Sequence, residues 1–136
     1  MKHIIALAAL ALTAGCAASA EDEAIARADG EATLAAELSN YRQSGPPVSC
    51  VPLRNLGGNR SAGEGAVIFG SGNRVFVNRP PAGCPLVRDG RALSLRTTGS
   101  QICRGDIVNV FDTASGINYG SCGLGEFTPY QRLPRG

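Results

Sequence analysis

Four cysteines, Cys50, Cys84, Cys103 and Cys122, are spread along the last two thirds of a 136-residue chain. A domain of that size buries only a modest core. An even set of half-cystines is how small exported domains compensate. A bridge that closes a long loop restricts the unfolded chain and adds about 2–4 kcal/mol. Four cysteines allow three pairings, and their spacing alone does not choose among them. The set does not read as a metal centre, because there is no Cys-x-x-Cys and the single His, His3, lies at the extreme N-terminus. A redox role would use Cys-x-x-Cys or one poised thiol, so the four are expected to be structural staples with no free thiol among them.

The fifth cysteine, Cys16, belongs to a different signal. Lys2 precedes an apolar run from Ile4 to Leu12 that ends against small residues, the pattern of a secretory leader. Nine apolar residues are too few to cross a hydrocarbon core of roughly 30 Å as a helix, and no later stretch approaches the roughly 20 needed. Leu12-Thr13-Ala14-Gly15-Cys16 resembles a lipobox, in which a lipoprotein peptidase cuts before the Cys and its sulfur receives a diacylglycerol. Thr13 stands where Leu is usual. Ala18-Ser19-Ala20 offers the competing cut, before Glu21. The expected organisation is a signal peptide over 1–15 (alternatively 1–20), a lipid-anchored tether over 16–45 and a β domain over 46–136. Ala17 is not the Asp that retains enteric lipoproteins in the inner membrane, which points to the outer membrane, facing the periplasm. The alternative cut would give a soluble periplasmic protein.

Beyond the leader there is no His, Lys, Trp or Met. That removes Ser-His-Asp and Cys-His catalysis, which need an imidazole, and Ser-Lys or Schiff-base chemistry, which need an amine. His-ligated zinc and copper sites go with them. Carboxylate-pair chemistry would have to draw on two of Glu64, Asp89, Asp106, Asp112 and Glu126, and no pattern places any two together. The expectation is therefore no catalytic residue, no cofactor and no metal.

Charge is distributed unevenly. From Glu21 to Gly45 six carboxylates face two arginines, and from Pro46 onward ten arginines face five carboxylates. The second part suits an anionic partner. Nucleic acid is not expected, because no arginine cluster is interleaved with stacking aromatics.

Glu21 to Ser44 repeats Ile25, Ala28, Ala32, Ala35, Leu38 and Tyr41 at helical spacing, with a weak point at Gly30. The helix is either a spacer or docks Leu34, Leu38 and Tyr41 on the following domain. Gly45-Pro46-Pro47 stops it. Short β-type runs follow. Ala66–Phe69 and Arg74–Asn78 flank the loop Gly70-Ser71-Gly72-Asn73 and read as a hairpin. Val51 and Leu53 mark an earlier strand held to an edge or bulge by Pro52. Leu93–Thr97 and Ile107–Phe111 are further strands, and Leu124–Phe127 closes the set. About six short strands with one N-terminal helix predict a mainly β fold, a small antiparallel barrel or sandwich stapled by two disulfides.

Four blocks occur in order: Val48-Ser49-Cys50-Val51-Pro52-Leu53-Arg54, Val75-Phe76-Val77-Asn78-Arg79-Pro80, Gly99-Ser100-Gln101-Ile102-Cys103 and Leu124-Gly125-Glu126-Phe127-Thr128-Pro129-Tyr130. Together they resemble a group of small uncharacterised proteobacterial envelope proteins, many of them lipoproteins, that share a domain of unknown function. The resemblance covers about Pro46 to Tyr130 and brings no activity. It implies the pairing Cys50 with Cys103 and Cys84 with Cys122, because some relatives keep the first pair and lack the second. Separately, Ser115-Gly116-Ile117-Asn118-Tyr119 is similar to the Ser-Gly-x-x-Tyr loop of periplasmic lysozyme inhibitors, in which the positions matching Ser115 and Tyr119 enter the lysozyme active site. The leading expectation is a non-enzymatic envelope lipoprotein bound to a membrane through Cys16. The alternative is an inhibitor or an anionic-ligand-binding module.

Overall fold

The hairpin Ala66–Phe69/Arg74–Asn78 is buried at every position but Arg74, which requires cover on both faces of its sheet. The computed structural model describes residues 14–84, 87 and 91–136 and shows what supplies that cover. One helix, α1 (Ala14–Glu37), precedes ten short strands: β1 (Tyr41–Gln43), β2 (Cys50–Pro52), β3 (Asn59–Ala62), β4 (Ala66–Phe69), β5 (Arg74–Asn78), β6 (Arg91–Leu95), β7 (Gln101–Cys103), β8 (Ile107–Asp112), β9 (Asn118–Gly123) and β10 (Phe127–Arg132). They form three antiparallel sheets, β1-β10-β5-β4-β3, β2-β7 and β6-β8-β9. The fold is mainly β with one helix, as expected. Among the described residues it has ten strands rather than about six, and the sheets do not close into a barrel: β1 and β3 end the large sheet with one neighbour each.

Period-two alternation sorts the central strands into two cores. Val67, Phe69, Phe76 and Phe127 face the two smaller sheets and meet Val51, Leu93, Ile102, Val108, Val110 and Leu124. Phe69 and Phe127 pack tilted, ring centroids 5.7 Å apart. Ala66, Ile68, Val75 and Val77 face the other way and meet Leu34, with Leu38, Tyr41 and Tyr130 at the margin. Each large apolar side chain so buried contributes roughly 1.5–3 kcal/mol, so the helix-side core of six buried residues is a substantial fraction of the whole.

Of the two roles open to the helix, its C-terminal half takes the docked one. Gly30 does not interrupt α1, which is continuous through it. The roughly 1 kcal/mol lost by Gly relative to Ala is outweighed by packing, because Gly30 is the point of closest approach. A Cβ there would stand 3.1 Å from the Ala62 carbonyl, and one on Gly63 (φ +65°) would stand 2.8 Å from Gly30 Cα. Two ion pairs run from helix to sheet: Arg60 Nε to Glu37 Oε2 at 2.7 Å, and Arg79 to both oxygens of Glu31 at 2.5 and 3.0 Å. Part of the charge asymmetry in the sequence is thus spent inside the molecule.

Both disulfides are Cys50–Cys103 and Cys84–Cys122, spanning 53 and 38 residues. Cys50 and Cys103 face each other across β2 and β7. Bonds from Leu53 N to the Ser100 carbonyl and from Arg104 N to the Ser49 carbonyl flank them. By alternation Cys50/Cys103 is therefore a non-hydrogen-bonded pair, the closer kind, with Cα atoms 4.0 Å apart. Pro52 occupies the next non-hydrogen-bonded position on an edge strand, where its missing N–H costs no ladder bond. Pro129, by contrast, lies on the central strand β10. It is tolerated because β1 ends beside it: the Pro129 carbonyl still accepts from Ser44 N–H, and the chain then leaves through Gly45-Pro46-Pro47.

Candidate functional site

Two asparagine contacts, one buried and one part-buried, organise the β domain and set apart what is structural. Asn78, fully buried, donates from Nδ2 to the Gly125 carbonyl at 2.8 Å and accepts Gly125 N–H at 2.9 Å. Asn59 does the same for Leu93, at 3.2 and 2.9 Å, and so ties β3 to β6. Only glycine fits at 125, since an added Cβ would run into the Arg79 carbonyl. Asn78, Arg79 and Gly125, within two of the motif blocks, are therefore accounted for by the fold.

The carboxylates are likewise occupied. Asp106 Oδ2 accepts Cys103 N–H at 2.8 Å and closes the β7–β8 turn. Asp112 Oδ1 accepts from the backbone N–H groups of Ala114 and Ser115 at 2.9 and 2.8 Å. Those donors, Ser115 first, hold its carboxyl below the usual range. Glu126 pairs with Arg104 at 3.3 Å. Glu64 sits in the β3–β4 turn, and Asp89 lies outside the described residues. Among the described residues no three of His, Cys, Asp and Glu gather as metal ligands.

Ser115 lies in the β8–β9 loop and Tyr119 in β9, and among the described residues no contact joins their side chains. Ser115 Oγ accepts Ile117 N–H at 3.3 Å, and Gly116 N–H bonds to the Asp112 carbonyl. Tyr119 is the extra residue of a β-bulge, since Val110 pairs with Gly120 and Phe111 with Asn118. Its half-buried ring packs against the larger core, with the Arg91 guanidinium 3.6 Å from the ring centroid. The loop is exposed, but the tyrosine is directed inward and capped. Cys16 lies in the first turn of α1.

Beside α1 a groove of about 560 Å³ is floored by small residues, Gly30, Ala62 and Gly65 among them, and bordered by the Arg79–Glu31 pair. The hydrogen bond from Arg79 lowers the Glu31 carboxyl below its ordinary range and raises the guanidinium.

Sequence reading missed a cluster at the opposite end of the large sheet. Arg132 Nε donates to the Gly72 carbonyl at 3.1 Å and Nη2 to Tyr41 Oη at 2.7 Å, while Tyr41 Oη donates to the same carbonyl at 2.7 Å. Arg132 and Arg135 border a groove of about 480 Å³ there. Arg42, Gln131 and Arg74 fall in one row across β1, β10 and β5. These arginines lie far apart in sequence, and only the strand order of the sheet assembles them. Searches against family models, curated proteins and solved structures find no match to this chain.

Proposed function

We propose that this chain is a non-enzymatic lipoprotein of the bacterial envelope, anchored through acyl chains on Cys16, with a disulfide-stapled β domain that has a structural or partner-binding role facing the periplasm. The observation that carries this reading is the N-terminal half of α1. The helix is continuous from Ala14, two residues before Cys16, and every residue from Ser19 to Asp29 is exposed. Between Cys16 and Gly30, where the helix meets the Gly63 turn, a helix rises about 21 Å. An anchor at its start would hold the β domain clear of lipid headgroups on a polar rod. One acyl chain gives only marginal attachment, so the reading requires more than one.

One support is independent of the helix. All four cysteines beyond Cys16 are bonded, as suits an oxidising compartment. No helix among the described residues is long and apolar enough to cross a membrane. The inhibitor reading is less well supported, because the Tyr119 ring is turned onto the core under Arg91. Intact-mass analysis of protein extracted from native envelopes tests the proposal. The expected mass is that of a chain beginning at Cys16 with acyl groups, lost in Cys16→Ser. An unmodified chain beginning at Glu21 would overturn it.

A further inference from the structure

The two ends of the five-stranded sheet differ. At one lie the β3–β4 turn, Arg79 and the point where α1 arrives, marked by Gly30 against Gly63 and Glu31 on Arg79. At the other lie the Gly70–Asn73 turn, the start of β5, the end of β10 and the C-terminal end of α1, where Glu37 meets Arg60. The exposed half of α1 extends beyond the first end, so the second end is the one remote from Cys16.

That remote end is basic. Arg42 and Arg74 flank Gln131 on one face of the sheet, two strand spacings or about 10 Å apart. Arg132 is held by Gly72 and Tyr41, Arg135 shares its groove, and Arg54 lies on the turn whose Asn55 carbonyl approaches Gly70. Among the described residues none of these five arginines forms an ion pair. Glu37, the carboxylate that α1 brings to this end, is taken by Arg60.

We propose that this end binds the carboxylate-bearing polymer of the cell wall. Three features select that chemistry. The two arginines of the row stand about 10 Å apart at their Cα atoms with Gln131 between them, a spacing that suits anions recurring along an extended chain instead of a single phosphate. Gln131 between them offers an amide to the uncharged hydroxyl and amide groups that separate such anions. This end also offers few of the aromatic or aliphatic anchors on which protein interfaces depend: among the described residues, of the exposed large hydrophobics Ile25, Val48, Ile107, Ile117 and Leu133, Leu133 alone borders the groove. The choice of the wall over the anchoring bilayer rests on the lipoprotein reading, since it uses the direction in which α1 points.

The test is co-sedimentation of the mature chain, carrying Cys16→Ser so that no lipid contributes, with purified peptidoglycan sacculi. Parallel arms use sacculi whose carboxylates have been amidated and vesicles containing phosphatidylglycerol. Binding to native sacculi is expected to weaken with salt, to disappear on amidation, and to fall about tenfold or more in Arg42→Gln/Arg74→Gln, the loss of two charge-assisted contacts. Arg27→Gln/Arg104→Gln, with the same net charge, is expected to bind as the parent does. Circular dichroism and retained disulfides check that the exposed substitutions leave the fold intact. No binding to sacculi, equal loss in both double variants, or tighter binding to the vesicles would each overturn the proposal. Because the tested chain is unlipidated, such a failure is separate from a failure of the mass measurement on Cys16.

Discussion

Asn78 shows how a single polar side chain holds two segments 47 residues apart. Its amide acts as a piece of β-ladder for Gly125, and both partners are buried. Asn78→Ala would leave the Gly125 N–H and C=O without partners, at about 1–3 kcal/mol each. The expected loss is roughly 2–6 kcal/mol in urea unfolding. Asn59→Ala is expected to lose less, about 1 kcal/mol, because its contact is only part-buried and water can replace it. Equal losses would contradict the burial argument. Glu31 supplies a pH-dependent counterpart. Its folded pKa is lowered by the hydrogen bond from Arg79, so its stabilising effect is present above the unfolded value of about 4.3 and is lost as pH falls through the lower folded value. Both side chains are half exposed, which limits the effect to below about 1 kcal/mol. Unfolding midpoints measured between about pH 7 and 3 should show a slightly shallower acid decline in Glu31→Gln.

At the scale of elements, α1 is two things in sequence: exposed through Asp29 and docked from Gly30 onward. Leu34→Ala removes the one large buried side chain of the helix and should cost about 2–4 kcal/mol. Gly63→Ala should cost more than an ordinary loop substitution, since its φ of +65° is strained for Ala and its Cβ meets Gly30. Substitutions at Ile25, exposed on the free half, should leave the unfolding midpoint unchanged. The hairpin β4–β5 could be read from sequence because apolar β-formers flank a Gly-rich turn. Strands β3, Asn-Arg-Ser-Ala, and β9, Asn-Tyr-Gly-Ser-Cys-Gly, could not. They carry little β propensity and become strands by pairing with β4 and β8. β10 begins at Phe127, where the expected run ended, and continues through Pro129 because β1 ends at Gln43 and the last bond beside it, from Ser44 N–H, uses the Pro129 carbonyl and not its missing N–H.

At the scale of the molecule the two disulfides divide the work. Loops of 53 and 38 residues differ by less than about 0.5 kcal/mol in closure entropy, so burial decides which matters more. Cys84 and Cys122 are 0% and 7% exposed within the larger core, whereas Cys50 is exposed on a two-stranded edge. Replacing Cys84 and Cys122 by Ala should therefore destabilise more than replacing Cys50 and Cys103, and mild reductant should open Cys50–Cys103 first. Non-reducing peptide mapping should find these two pairs and no free thiol; a Cys84–Cys103 link would refute the pairing. The sequence by itself determined the staples, the mainly β class and the helix before it, because cysteine count and local periodicity are properties of the chain alone. Only the tertiary structure decided how many strands form among the described residues, that they do not close, that Gly30 is a contact rather than a break, and that Arg42, Arg54, Arg74, Arg132 and Arg135 share one end. Each of these depends on which segments become neighbours, and that depends on long-range pairing between residues whose own preferences are weak.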